Sequence, residues 1–235
     1  MKLYLFLLCG CVFFSLQADE PILHYDFSDP GIRKGGQFKT PEFVGNVEID
    51  SEQDCIELQG KSYLSIPDST AFSLLEGGTL FAAVKFETDS AKDGTDNAHD
   101  MLFFKNKSFL LAKDRGSLYF NLGDGKKCKN GIRCPVPIRK WCTVAVSVFK
   151  EPHNGKNYYA LKIYINGELK KQDTWQFQGK DTADPVTFGK GWGGPWFMKG
   201  KVAEMRIYSV PISAAECKTL SENCLKKRVK QQKAK

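Results

Sequence analysis

Residues 141–174 restrict the fold of this 235-residue chain more than any other segment. The residues at 142, 144, 146 and 148 are apolar, and they share one face if the segment is an extended strand. A second alternating run follows at 159–165. It ends at Asn166 and Gly167, which tolerate the positive φ angles of a type I′ hairpin turn. The segment therefore predicts antiparallel strands at the centre of a β-sandwich.

The rest of the chain repeats this pattern, with about a dozen short strands separated by turn residues. We predict an all-β fold: a two-sheet antiparallel jelly-roll sandwich with one short C-terminal helix. Ser213 and Glu216 form a capping-box pattern at the start of that helix. Residues 43–49 are expected to form one short strand, and residues 123–140 an irregular lysine-rich insertion.

The two ends of the chain differ from its middle. Residues 1–18 have the pattern of a secretory signal peptide, with cleavage expected after Ala18. The alternative is a lipid anchor on Cys11. Residues 19–225 would then form the folded domain and residues 226–235 a basic disordered tail. We expect a secreted, extracellular or periplasmic protein without a transmembrane segment, since no other apolar run is long enough.

The net charge of +7 comes from the ends of the chain. Lys2 and the six basic residues of the tail account for the whole excess of 34 basic over 27 acidic residues. The folded body is therefore neutral, and the charge pattern argues against a nucleic-acid partner.

Six cysteines follow the predicted signal peptide, a number typical of disulfides in an oxidising compartment. Cys128 and Cys134 flank a short segment and are our first candidate pair. Cys55 and Cys142, each in an apolar strand, could bridge the two sheets. The other two cysteines are seven residues apart on the predicted helix, a rise of about 10 Å, which is too long for a disulfide unless the helix ends between them.

Six segments, in order along the chain, resemble the laminin-G-like, concanavalin-A-like jelly-roll family. They span residues 24–27, 60–69, 78–86, 141–148, 161–169 and 197–216. The resemblance covers residues 21–222 and implies this fold in a lectin-like binding domain, although the same fold also occurs in adhesion modules and glycosidases. The chain has Ala203-Glu204 where the family usually has an acidic pair, which weakens any inherited calcium site.

A glycine-rich loop at 189–197 holds the candidate ligand-binding residues Lys190, Trp192, Trp196 and Phe197. Aromatic rings on a loop either pack over the edge of the sandwich or form a ligand surface. Rings of this kind can stack on the faces of sugars. Both interpretations stay open from the sequence.

Two further patterns have weaker chemical meaning. Glu48, Asp50 and Glu52 would lie on one face of a strand, as in sandwich-type glycosidases, although a solvated acidic edge is the simpler interpretation. Loop aspartates could offer oxygens to calcium, without any specific motif, so no cofactor is expected. These residues are Asp26, Asp29, Asp89, Asp93, Asp96 and Asp100.

Together these patterns favour a secreted, non-catalytic module that binds carbohydrate or an extracellular glycoconjugate. The alternatives are a glycosidase that uses the acidic array and a module for adhesion to, or assembly with, an extracellular protein.

Overall fold

A computed structural model describes residues 20–28, 41–87, 99–192 and 196–233. The strands are β1 (Leu23–Asp26), β2 (Glu42–Val44), β3 (Val47–Asp50), β4 (Cys55–Gln59), β5 (Tyr63–Ile66), β6 (Gly78–Phe86), β7 (His99–Lys105), β8 (Phe109–Asp114), β9 (Ser117–Gly123), β10 (Cys128–Pro135), β11 (Trp141–His153), β12 (Lys156–Ile165), β13 (Glu168–Gln176), β14 (Val186–Phe188) and β15 (Lys199–Tyr208). Helix α1 (Ala214–Lys233) follows them, and two 3-10 turns (Thr70–Phe72 and Leu74–Glu76) precede β6.

The strands form two sheets. Sheet A has the order β13-β12-β11-β6-β15-β4-β3, with β1 also paired to β15, and sheet B has the order β10-β9-β8-β7-β14-β5-β2. Neighbouring strands are antiparallel at every described pairing between them. The predicted two-sheet antiparallel sandwich is therefore confirmed.

The main hydrophobic core fills the space between the sheets. Val144, Val146 and Ile163 enter it from sheet A, and Phe103 and Phe120 from sheet B. The predicted alternation along β11 and β12 is thus confirmed. The predicted turn is also present, because both Asn166 and Gly167 have positive φ angles, of 53° and 78°.

Helix α1 covers part of the outer face of sheet A. Cys217 and Cys224 on the helix pack with Phe81, Ala145 and Tyr164, which point away from the main core. This explains why both faces of β11 are apolar or small, since its inner face meets sheet B and its outer face meets the helix.

The start of α1 was predicted correctly and its length was not. Ser213 Oγ accepts a hydrogen bond from Glu216 N at 3.2 Å, and Glu216 Oε2 accepts one from Ser213 N at 2.7 Å, so the capping box is formed. The helix then runs for 20 residues, through residues 226–233 of the segment interpreted as a disordered tail. Buried Arg228 holds this part in place by donating to the carbonyl oxygen of Asp54 at 3.0 Å.

Two predictions about secondary structure are wrong, one for residues 43–49 and one for residues 123–140. Residues 43–49 are not one strand, because the chain passes from β2 in sheet B to β3 in sheet A at Gly45, whose φ is 79°. Residues 123–140 contain the eight-residue strand β10, which forms an edge of sheet B.

The candidate disulfides do not form in this fold, and all six described cysteines are free thiols. Cys128 and Cys134 lie on the same extended strand, β10, about 20 Å apart at the usual rise per residue, whereas bridged Cα atoms are separated by about 4–7 Å. Cys55 and Cys142 belong to the same sheet, not to facing sheets. Cys142 faces the main core, whereas Cys55 faces the helix side.

None of the described helices is long and apolar enough to cross a membrane. The predicted signal peptide, Cys11 and the predicted cleavage site at Ala18 lie outside the described residues. The same holds for Asp29, Asp89, Asp93 and Asp96 among the calcium candidates.

Candidate functional site

The described residues of the glycine-rich loop, 189–192 and 196–197, lie against the outer face of sheet B, the face that points away from the main core. Lys190 and Phe197 form an antiparallel bridge, and Gly191 N donates to Trp196 O at 2.8 Å. A Cβ on Gly191 would lie 2.5 Å from Met101 Cε on β7. The absence of a side chain at Gly191 therefore lets this residue lie against β7 without displacing the end of the Met101 side chain.

The two tryptophans of the loop pack on residues of β7. The Trp196 ring stacks on His99, with 3.8 Å between ring centroids and 20° between planes. Trp192 meets Phe104 edge-on at 4.9 Å and Trp196 at 5.4 Å. Trp192 remains 39% exposed. The pair therefore lies outside the main core, over a small cluster formed by Met101, Phe104, Leu110 and Ala112.

Strand register extends this surface towards β10. Tyr119 on β9 lies opposite Arg133 on β10 and opposite Ala112 on β8. The Arg133 guanidinium stands 5.2 Å from the centroid of the Tyr119 ring, and the Tyr119 hydroxyl is 3.4 Å from His99 Nδ1. A cation on an aromatic ring therefore adjoins the tryptophan pair on this side.

A similar pair lies on the other side, towards β5. Lys190 Nζ stands 4.4 Å from the centroid of the Tyr63 ring and 3.4 Å from its hydroxyl oxygen. The Phe197 ring lies 6.3 Å from the Tyr63 ring. We call the whole set the aromatic surface: Tyr63, His99, Tyr119, Arg133, Lys190, Trp192, Trp196 and Phe197.

One carboxylate among the described residues, Asp114, lies at the edge of this surface, and burial perturbs two of its rings. Burial lowers the pKa of His99 below its ordinary value of 6.5, although Asp114 partly opposes this. Burial also raises the pKa of Tyr119 to about 12. Asp114 accepts from Arg133 at 2.9 Å and lies 3.8 Å from Arg115 and 3.9 Å from His99.

The structure thus brings together all four residues predicted from the loop, Lys190, Trp192, Trp196 and Phe197. It adds Tyr63, His99, Tyr119 and Arg133, which the sequence analysis missed. Of these, Tyr119 left a signal in the sequence, because it occupies the polar phase of the alternation in 117–123. Stacking rings and outward-pointing cations are suited to binding a ligand.

The acidic array does not assemble as predicted. Glu48 and Asp50 lie on β3, but Glu52 lies in the turn after it and is exposed. Asp50 pairs with Lys201 at 2.8 Å and accepts from Gln53 N at 2.9 Å, and the Lys201 hydrogen bond lowers the pKa of Asp50. The prediction that the three acids share one strand face is wrong, and Asp50 is held in an ion pair.

His24, Asp26 and Glu204 form the one group of potential metal ligands found among the described residues, with ligand atoms within 4.8 Å of one another. Cationic side chains already occupy this group. Arg206 pairs with Glu204, and Lys227 pairs with Asp26 at 3.1 Å. Calcium would require six to eight oxygens, and these two carboxylates are already neutralised, so the group fits an ion-pair cluster better than a calcium site.

Asp100, the remaining described calcium candidate, is also committed elsewhere. It is buried, pairs with Lys113 at 2.5 Å and accepts from Lys199 N at 2.9 Å. Both of its carboxylate oxygens are therefore engaged within the fold, which argues against Asp100 as a calcium ligand.

A cavity of about 570 Å³ lies away from the aromatic surface, between α1 and β15. Tyr208, Ile212 and Leu220 line it. None of the residues predicted from sequence to bind a ligand reaches this cavity, whereas four of them meet on the aromatic surface.

Comparison with solved structures agrees with the fold. The receptor binding domain of botulinum neurotoxin mosaic serotype C/D matches 86% of this chain, with a TM-score of 0.63 and 15% sequence identity. The receptor binding domain of botulinum neurotoxin type G matches 87% of this chain, with a TM-score of 0.64 and 13% sequence identity. The chain spans about half of the length of these domains, 50% and 51%. A third match is domain 4 of AbnA, a GH43 extracellular arabinanase from Geobacillus stearothermophilus, which was solved in complex with arabinotriose. This domain matches 87% of the present chain over its own whole length, with a TM-score of 0.60 and 20% sequence identity.

At these identities the structural matches show the fold alone. A search of curated proteins found no match. A sequence-family profile described as the Concanavalin A-like lectin/glucanases superfamily matches residues 58–218, which is more than half of the chain. The landmarks that suggested this resemblance lie largely within that range, and the jelly-roll architecture agrees with it. The chain therefore belongs to the Concanavalin A-like lectin/glucanases superfamily.

Proposed function

We propose that this protein is a non-catalytic module that binds carbohydrate or an extracellular glycoconjugate through the aromatic surface. The observation that supports this most directly is the pair formed by Trp192 and Trp196. Their rings lie at 86° to each other on the outside of sheet B, and Trp192 is more than one-third exposed.

The packing of this pair favours recognition. Trp196 packs on His99 and Trp192 packs on Phe104, and these contacts restrict the rotamers of both rings, so less side-chain entropy would be lost when a ligand binds. Rigid aromatic anchors of this kind supply much of the binding energy at recognition surfaces. Sugar rings have apolar faces that can stack on an indole and hydroxyls that can reach the flanking Lys190 and Arg133.

The three structural relatives described above are consistent with this proposal. The arabinanase domain was solved with an oligosaccharide, and the neurotoxin domains are receptor binding domains. A binding role without catalysis also agrees with the geometry of the acidic array, because Asp50 is paired with Lys201 and Glu52 lies in the turn after β3.

We further propose that the module acts outside the cell, either secreted or exposed in a periplasm. The basis is the apolar run of residues 1–18 with its expected cleavage after Ala18. Intact mass of the native protein would test this, because cleavage after Ala18 and lipidation at Cys11 predict different masses.

Affinity electrophoresis through gels that contain single polysaccharides would test the binding role. The wild-type protein should be retarded by at least one polysaccharide. Trp192→Ala and Trp196→Ala should each weaken that binding by about tenfold or more, as expected for the loss of a central aromatic anchor. Phe43→Ala is the matched control, since Phe43 is 36% exposed on β2 and lies opposite Leu64, a residue of the main core, so it is on the other face of sheet B from the tryptophans.

The proposal fails if the wild-type protein shows no retardation across a broad panel of polysaccharides. It also fails if Trp192→Ala and Trp196→Ala are retarded as strongly as Phe43→Ala. Circular dichroism of each variant would show that its fold is intact.

A further inference from the structure

Two cations on the aromatic surface are held by aromatic rings, on opposite sides of the tryptophan pair. Arg133 lies over Tyr119 and Lys190 lies over Tyr63. An aromatic ring attracts a cation through its quadrupole and has no net charge. A lysine or arginine held in this way therefore keeps its full positive charge for a ligand.

The carboxylate near Arg133 does not cancel the charge on that side. Asp114 lies beside both Arg133 and Arg115, so one negative charge faces two guanidinium groups. Their side chains remain 52% and 77% exposed. Arg133 uses one terminal nitrogen, Nη2, for Asp114, and a guanidinium has five N–H donors. Arg133 can thus bind a second carboxylate from outside.

Lys190 has even less competition. Its described contacts are to the ring and hydroxyl of Tyr63, and no carboxylate among the described residues is in ion-pair contact with it. Both flanks of the tryptophan pair therefore carry an excess of positive charge, although the folded body as a whole has a balanced charge.

The two flanks are far apart. Tyr119 is on β9 and Tyr63 on β5, and each strand is two positions away from β7, on which the tryptophans rest. At the usual spacing between strands, four steps correspond to about 19 Å. A single sugar ring cannot reach from one cation to the other, but a chain of several rings can.

We propose that the aromatic surface binds an internal stretch of an acidic polysaccharide whose sugars carry carboxylates. The chain crosses the strands of sheet B, with sugar rings over Trp192 and Trp196 and carboxylates on Arg133 and Lys190. This inference rests on the proposed function, and it adds to it the charge and the minimum length of the ligand.

Isothermal titration with polygalacturonate and with its fully methyl-esterified form would test it, because the two polymers share a backbone and differ in charge. The wild-type protein should bind the acidic polymer about fivefold or more tightly at low salt, and this preference should shrink as salt rises. A dimer of galacturonate should bind far more weakly than an oligomer long enough to reach both cations.

Arg133→Gln and Lys190→Gln should each reduce affinity for the acidic polymer about three- to fivefold, with the esterified polymer unaffected. Lys162→Gln is the matched control. Lys162 also lies 4.4 Å from an aromatic ring centroid, that of Phe149, but on sheet A. It should change neither affinity.

Equal affinity for the two polymers, or no binding to either, would overturn the inference, and the proposed function would still stand on neutral glycans. The same conclusion follows if Lys162→Gln weakens acidic binding as much as Lys190→Gln does. If Trp192→Ala and Trp196→Ala retain full affinity for polygalacturonate, the inference also fails, because the acidic polymer is then bound elsewhere. The proposed function fails only if these two variants also keep full affinity for every neutral polysaccharide that the wild-type protein binds.

Discussion

Glu204 should contribute to stability in a strongly pH-dependent way. It lies on β15 beneath α1 and is only 3% exposed. Burial by itself would raise its pKa, but a hydrogen bond from His24 Nε2 at 2.8 Å, the charge of Arg206 and a hydrogen bond from Cys224 outweigh burial. The pKa of Glu204 therefore falls from 4.5 to about 2.

This shift gives the magnitude of the effect. One pKa unit corresponds to about 1.4 kcal/mol, so a fall from 4.5 to about 2 stabilises the folded state by about 3 kcal/mol when the carboxylate is ionised in both states. The sign follows from the depressed pKa. The stabilisation by Glu204 is complete above pH 4.5. Below that pH it declines, because the carboxyl group takes up a proton in the unfolded chain before it does so in the folded protein. It vanishes as the pH falls through about 2.

Glu204→Gln removes the charge and nearly preserves the shape. The variant should lose about 3 kcal/mol of unfolding free energy at pH 7, since Arg206 is then left without its carboxylate in a largely buried site. The loss should shrink steadily as the pH is lowered from 4.5 towards 2. Urea unfolding followed by tryptophan fluorescence at several pH values would measure it.

Glu48→Gln is the control for this experiment. Glu48 is exposed on β3, and the same chemical change there should alter stability by less than about 0.5 kcal/mol at any pH. If the difference between wild type and Glu204→Gln stayed constant from pH 7 to pH 3, the cluster around Glu204 would not act through ionisation, and the argument would be refuted.

Three further predictions concern sheet B. Gly123→Ala should destabilise the protein by about 2 kcal/mol or more in thermal unfolding, because its Cβ would lie 1.9 Å from a backbone carbonyl oxygen of the β7–β8 turn. Lys113→Met should lower the free energy of unfolding by about 3–5 kcal/mol, because it removes the cation that pairs with buried Asp100. The double variant with Asp100→Leu should recover part of this loss in the same denaturation assay. His99 should titrate below pH 6.5 by NMR, and Trp196→Ala should raise this midpoint by uncovering the ring; an unchanged midpoint would contradict burial as the cause.

Local patterns in the sequence predicted the parts of the fold that depend on neighbouring residues. The hairpin at Asn166 and Gly167 needs positive φ at adjacent positions, and few residue pairs allow this without strain. The capping box between Ser213 and Glu216 likewise lies within one helical turn. Signals of this kind are complete within a few residues, so they can be read without knowing the fold.

The length of α1 could not be read in this way. Its last turns contain many like-charged lysines and arginines, and a solvated helix of that composition is not stable by itself. Tertiary contacts hold it in place. Lys227 reaches Asp26, about 200 residues earlier in the chain, and Arg228 reaches a carbonyl oxygen in the β3–β4 turn. Nothing in the local sequence indicates these partners.

The aromatic surface depends on strand register, which is the least local property of all. In the pairing of β9 with β10, the register shifts between Lys129 and Gly131, so that one residue of β10 has no partner on β9. Beyond this bulge Arg133 lies opposite Tyr119, on the outer face. Without the bulge, Ile132 would lie opposite Tyr119 and Arg133 would point into the core, because a one-residue slip in register reverses the face of every side chain.

The bulge also explains why this strand was misread. Its glycine, Gly131, could not carry a side chain, since a Cβ there would lie 1.7 Å from Asn121 Oδ1 on β9. In the sequence, the same glycine between Cys128 and Cys134 resembles a loop closed by a disulfide. The feature that hid β10 from sequence analysis is therefore the feature that turns Arg133 outwards and gives the aromatic surface one of its two cations.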